Sequence, residues 1–263
     1  MKLGLYYQSG YRIEACYHAL EQFRKFYPEA PVAFYEDNST ILEPVAKKFN
    51  CEYKRTKVNG RNDPNSGRPA FDVETIKGWL DRVYESCLTT LSNVDWVVNF
   101  EDDVWVKREI KEEPPFDLSG IGGRGWNEKL YEYLDTKVRG AYGCGGSFFN
   151  RLKFIEAYNN VKDLDWNFID NMAVDPKPSE WTDSALTFLF LYSKFTVGSW
   201  RELSQYVNPN VESLADRKAW LGTMQELESF QRDSAIVHCW KPYYYPTEEE
   251  KVFVKKQLEF YQQ

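Results

Sequence analysis

Over the first hundred residues, short apolar runs alternate with stretches whose apolar positions recur every three or four residues, and few folds accept that alternation. Leu3-Gly4-Leu5-Tyr6-Tyr7 opens the chain as an expected strand. Ile13, Cys16, Tyr17, Leu20 and Phe23 then share one helical face, and Tyr27-Pro28 ends that helix. Pro31-Val32-Ala33-Phe34-Tyr35 reads as a second strand, closed by the polar Glu36-Asp37-Asn38-Ser39. A short helix over 42–49 and a strand over 51–55 continue the pattern. Residues 59–69 break it with two Gly, two Pro and three Asn, as a loop would. Val73, Ile76, Leu80, Val83, Tyr84, Cys87, Leu88 and Leu91 restore a helical stripe that feeds Trp96-Val97-Val98, a central strand apolar on both faces. The expected fold is α/β: one domain over 1–263 with a mixed, mainly parallel central sheet and helices on both faces. Ligands in such folds bind beyond the carboxyl ends of the strands.

The order is less regular downstream. A strand is expected running into Gly143 to Phe149, with helices near 153–159 and 183–192, a final strand through Ala235-Ile236-Val237-His238, and an amphipathic helix over 247–261. Gly120-Ile121-Gly122-Gly123-Arg124-Gly125 matches a dinucleotide fingerprint as a string, but it follows Pro114-Pro115-Phe116-Asp117-Leu118-Ser119 and not an expected strand, so a nicotinamide site is rejected.

Charge and composition exclude several classes of partner. The net charge is −7 with no basic stripe, which argues against nucleic acid, and no segment reaches the roughly 18 uninterrupted apolar residues of a membrane span. Five cysteines stand far apart with no C-x-x-C pair, as expected of reduced thiols. With no signal peptide at the amino terminus, a cytoplasmic setting is expected. Asn38-Ser39-Thr40 fits a glycosylation acceptor pattern that needs a secretory route.

The central strand runs directly into Asn99-Phe100-Glu101-Asp102-Asp103, and Val104-Trp105-Val106 follows. Three adjacent carboxylates between apolar runs lose hydration and repel one another, so a divalent cation is the simplest compensation. The alternative is that they end the strand in solvent or pair with Lys107 and Arg108. Oxygen ligands with few nitrogens suit magnesium or manganese, ions that bridge to substrate phosphates and so point to a diphosphate-bearing substrate.

Val97-Val98-Asn99-Phe100-Glu101-Asp102-Asp103 resembles the carboxylate motif of nucleotide-sugar glycosyltransferases with the GT-A fold. The resemblance implies a nucleotide-sugar-binding half over 1–103 and an acceptor-binding half over 104–263. It also implies that Asp103 contacts Mn2+ or Mg2+, that Asp102 reaches the ribose or a metal-bound water, and that Glu101 supports the pair at the metal. His238, late in the chain, resembles the histidine that completes such metal sites, and Lys241 stands where it would meet the leaving diphosphate. Tyr6, Tyr7 and Gln8 would line the nucleotide pocket, Tyr6 being equally suited to the core, with Asp37 at the base or ribose. Lys77 and Arg82 are candidates for the donor phosphates.

Glu180-Trp181-Thr182-Asp183 opens an apolar helix, where Thr182 or Asp183 makes an ordinary N-cap. Asp183 also resembles the acidic residue that, in inverting members of the family, takes the proton of the attacking hydroxyl. A carboxylate in reach assists a poor nucleophile of that kind. Trp181 is suited to stack on an acceptor sugar, and Gly143-Cys144-Gly145-Gly146-Ser147 resembles the segment bordering donor sugar and acceptor. The expected activity is transfer of a hexose, from a UDP-linked donor by default, to a glycan or glycoconjugate hydroxyl with inversion. A sugar-nucleotide pyrophosphorylase would carry more glycine after the first strand than Gly10 alone; a calcium-dependent carbohydrate-binding module would release no nucleoside diphosphate.

Overall fold

The computed structural model describes residues 1–10, 13–37, 40–57, 71–123, 125–173, 177–207 and 234–240. The first hundred residues form the expected alternation: β1 (Leu3–Ser9), α1 (Ile13–Phe26), β2 (Val32–Asp37), α2 (Glu43–Lys48), β3 (Glu52–Thr56), α3 (Val73–Leu88) and β4 (Trp96–Phe100). Helix α3 starts where Asp72 accepts the Thr75 N–H at 2.8 Å, satisfying one of the donors a helix start leaves free. Then come β5 (Val104–Val106), β6 (Leu118–Gly120), α4 (Glu128–Tyr133), β7 (Phe148–Asn150), α5 (Arg151–Val161), α6 (Trp166–Ala173), α7 (Thr182–Tyr192), β8 (Val197–Ser199), β9 (Leu203–Val207) and β10 (Ile236–Trp240).

Seven strands make one sheet in the order β3-β2-β1-β4-β7-β6-β8. The β3-β2-β1-β4 half is parallel throughout, β7 runs antiparallel to both β4 and β6, and β6 is parallel to β8. The sheet is therefore mixed and mainly parallel. A second sheet, β5-β10-β9, has β10 antiparallel to β5 and parallel to β9.

Alternation along the strands feeds two cores. Tyr6, Val97 and Phe149 face one side, where Ile76, Trp79, Leu80 and Val83 of α3 pack with Phe154, Trp166 and Phe188. Leu5, Tyr7, Val98 and Phe148 face the other, against Cys16, Leu20 and Phe23 of α1 and Val104, Val106 and Ile236 of the small sheet. Each such aromatic or aliphatic side chain contributes roughly 1.5–3 kcal/mol on burial.

One expectation is corrected. Leu118–Gly120 is a strand, so the glycine string does follow one, although α4 opens only at Glu128. Packing explains its glycines: a Cβ on Gly120 would stand 1.7 Å from the Tyr142 carbonyl oxygen, and one on Gly125 2.1 Å from the Tyr131 hydroxyl. Two short helices, α4 and α6, and the three-residue strands add elements that periodicity does not reveal.

Candidate active site

The three acids fill a turn rather than trailing from a strand. The Val104 N–H donates to the Glu101 carbonyl at 3.2 Å, which reverses the chain from β4 into β5. Asp102 is buried, and its Oδ2 accepts the Ser9 hydroxyl at 2.9 Å from the end of β1. Arg108, one of the two cations next in sequence, lies 2.7 Å from the Glu202 carboxylate.

Glu101 and Asp103 come together with His238. β10 pairs with β5 so that His238 stands opposite Val104. Its Nε2 is then 3.6 Å from Asp103 Oδ1, and the two side chains are 8% and 11% exposed. One ligand atom from each of Glu101, Asp103 and His238 lies within 4.8 Å of the other two. Octahedral ligands at about 2.1 Å from a small divalent cation stand about 3 Å apart, so the trio needs only a slight closure to hold one. Two carboxylates and one imidazole also suit a manganese-like ion.

The glycine segment covers this trio. Gly146 has φ +85°, a left-handed conformation that favours glycine, and its N–H donates to the Asn99 carbonyl at 2.7 Å. A Cβ on Gly145 would stand 2.9 Å from Val104 Cγ2 and 3.0 Å from His238 Cδ2, so the backbone rests against the imidazole. Cys144 adjoins the site as well. Burial pushes its thiol up to about 12, and the Asp183 and Glu101 carboxylates push the same way.

Asp183 lies across this loop from the trio. The N-cap of α7 is Trp181, with no side-chain cap, so neither Thr182 nor Asp183 plays that part. Asp183 sits in the first turn, where its Oδ1 accepts the Ser184 N–H at 2.8 Å. Loss of solvent raises its carboxyl above the ordinary value; the Ser184 N–H and the nearby His238 oppose that rise. Upstream, Asp170 accepts both the N–H and the hydroxyl of Ser179, tying α6 to the turn that enters α7.

At the exits of β1 and β2 the residues separate by face. The Tyr6 hydroxyl donates to Gln8 Oε1 at 2.8 Å, and Gln8 Nε2 donates to Asp37 Oδ2 at 2.8 Å. Burial raises the Tyr6 hydroxyl strongly, and the Arg82 guanidinium beside it opposes the rise. Arg82 Nε and Nη2 are buried with no hydrogen-bond partner among the described residues. Tyr7 lies on the opposite face, fully buried between Phe34 and Phe100 at ring separations of 4.8 and 5.7 Å. Both tyrosine rings are thus core, and Gln8, Asp37 and Arg82 carry the polar surface of this edge. Lys77 is half-buried on α3. Lys241, the 59–69 loop, the 247–261 helix and Asn38 lie outside the described residues.

No helix among the described residues is long and apolar enough to cross a membrane, and Cys16, Cys51, Cys87 and Cys144 are free thiols. No family model matches the sequence, and no curated protein matches it. Solved structures do. A galactosyltransferase, LgtC, in complex with donor and acceptor sugar analogues, aligns at 12% identity and a TM-score of 0.47, over 98% of this chain and 95% of that one. The bifunctional glycosyltransferase WbbM, in its apo structure, aligns at 12% identity and a TM-score of 0.50, over 99% of this chain and 51% of that one. The chain therefore spans about half the length of WbbM, and what the two share is the fold. With its parallel β3-β2-β1-β4 half and acidic turn after β4, that fold is the GT-A fold of glycosyltransferases.

Proposed function

We propose that the protein is a metal-dependent glycosyltransferase, which moves a hexose from a nucleoside-diphosphate donor, UDP by default, to a hydroxyl of a glycan or glycoconjugate with inversion. The observation that carries this reading is the convergence of Glu101, Asp103 and His238 beyond the carboxyl end of β4, with Asp183 against Gly143 on the other side of the loop whose Gly145 rests on His238. Glu101, Asp103 and His238 would hold Mn2+ or Mg2+, which supplies positive charge against the departing diphosphate.

The remaining roles belong to the chain itself. Asp183 takes the proton of the acceptor hydroxyl as it attacks the anomeric carbon; its raised pKa makes it a stronger base than a solvated carboxylate. Trp181, just before it, offers an aromatic face to the acceptor sugar. Gln8 and Asp37 present a fixed hydrogen-bonding edge for the base or ribose, and the buried Arg82 atoms are matched by an anionic or carbonyl group of the donor. Asp102 is held by Ser9 on the β1 side of the turn, and its assigned role is to reach the ribose or a metal-bound water. Lys241 is assigned to the leaving diphosphate from sequence alone.

Calorimetric titration with a panel of nucleoside diphosphates, with and without manganese, tests the reading. Manganese-dependent binding of one nucleotide, lost in Asp103→Ala, is expected. Absence of binding under every condition overturns it.

A further inference from the structure

We infer that Thr187 is a positioning residue that sets Asp183 at a fixed distance from the acidic turn, an inference resting on the reading of Asp183 as proton acceptor. Thr187 is fully buried in α7, the one polar residue between Ala185 and Leu191. A hydroxyl there is unfavourable unless bonded, and this one uses its whole capacity. It donates to the Asp183 carbonyl at 2.7 Å and accepts from the N–H groups of Tyr142 and Gly143 at 2.7 and 3.2 Å. Helical threonines often bond back to the carbonyl four residues earlier. Here the same oxygen also takes two backbone donors from another segment, so the first turn of α7 and the glycine loop are fastened through a single atom.

The other side of that loop is fastened to β4. Asn99 Nδ2 donates to the Gly143 carbonyl at 3.0 Å, the Asn99 N–H donates to the Ser147 carbonyl at 2.9 Å, and the Gly146 N–H returns to the Asn99 carbonyl at 2.7 Å. Asn99 precedes Glu101 by two residues, and Gly145 rests on His238. There is no slack on the α7 side either: a Cβ on Gly143 would stand 2.7 Å from the Asp183 carbonyl oxygen and 3.0 Å from its Cα. The loop is a spacer of set thickness, with the metal-binding trio on one side and the proton acceptor on the other.

A base acts only within hydrogen-bond reach, and a misplacement of about 1 Å costs on the order of 10²-fold in rate. Kinetics and nucleotide titration of Thr187→Val and Thr187→Ser test the inference. Valine keeps the shape and none of the bonds. It is expected to lose on the order of 10²-fold in kcat and to shift the acid limb of the kcat profile, with manganese-dependent nucleotide affinity unchanged. Thr187→Ser restores most of the rate. If Thr187→Val does not fold, Gly143→Ala forces the same segments apart with the hydroxyl in place and is expected to show the same selective loss in kcat.

Wild-type kcat and pH profile in the valine variant, or in Gly143→Ala where it stands in, overturns this inference alone; an inactive Asp183→Asn then still sustains the proposed function. Equal losses in the valine and serine variants also overturn it, because packing and not the hydroxyl would then set the rate. A wild-type protein that neither binds a nucleotide nor transfers a sugar overturns both.

Discussion

His238 Nε2 stands 3.6 Å from Asp103 Oδ1, although the two residues lie far apart in sequence. The pairing of β5 with β10 makes the contact, by setting His238 opposite Val104. Manganese should therefore raise the melting temperature of the wild-type protein. At 100 times its Kd an ion bound only by the folded state adds about 2.7 kcal/mol. Calorimetry should show that gain abolished in Asp103→Asn, with a fold that is otherwise intact by circular dichroism.

Asp183 should trade stability for activity. Its folded pKa is raised, so its contribution to stability is fully present below the unfolded value and is lost as pH rises through the folded one. Asp183→Asn retains an acceptor for the Ser184 N–H and removes the half-buried charge. The variant should melt higher than wild type at neutral pH while losing roughly 10²–10⁴-fold in kcat. The wild-type kcat should fall on the acid side at a pH above the ordinary carboxylate value of about 3.9. A variant that is both active and unchanged in stability would remove Asp183 from the mechanism.

The stereochemistry of the product tests the same residue by another route. With one base and direct displacement, the new glycosidic bond should have the anomeric configuration opposite to that of the donor. Proton NMR of the purified product reads this from the coupling of the anomeric proton at the new linkage. Retention would require a different role for Asp183.

Two glycines should respond in opposite directions. Gly78 lies within α3, and a Cβ there meets only Arg82 Nη1 at 3.4 Å, so Gly78→Ala should stabilise by up to about 1 kcal/mol. Gly120→Ala drives a methyl into the Tyr142 carbonyl and should cost about 3 kcal/mol. Urea denaturation of both variants decides the matter.

The parallel half of the fold is legible because each of its elements is long enough to show a period. Ile13 to Phe23 and Val73 to Leu88 display a clear apolar face, and Trp96 to Val98 reads as a buried strand. β5, β6, β7 and β8 are three residues long, too short for any alternation, and their identity comes from pairing partners distant in sequence. Glu101, Asp103 and His238 were expected at one metal site through the family resemblance; the pairing of β10 with β5 that sets His238 opposite Val104 is not legible in the residues themselves. Nor does sequence reveal that Tyr6 and Tyr7 face opposite cores while Gln8 binds Asp37. Thr187 gave one faint signal, a hydroxyl inside an apolar helix four residues after Asp183.

The pairing of β5 with β10 also orders events in time. During synthesis, Glu101 and Asp103 leave the ribosome well before His238 does. Closing the intervening stretch costs entropy that grows only with the logarithm of its length, so the late contact carries little penalty for being distant. Until β10 arrives, a growing chain holds only the two carboxylates of the trio, so the three-residue arrangement comes into being only once that strand has paired with β5.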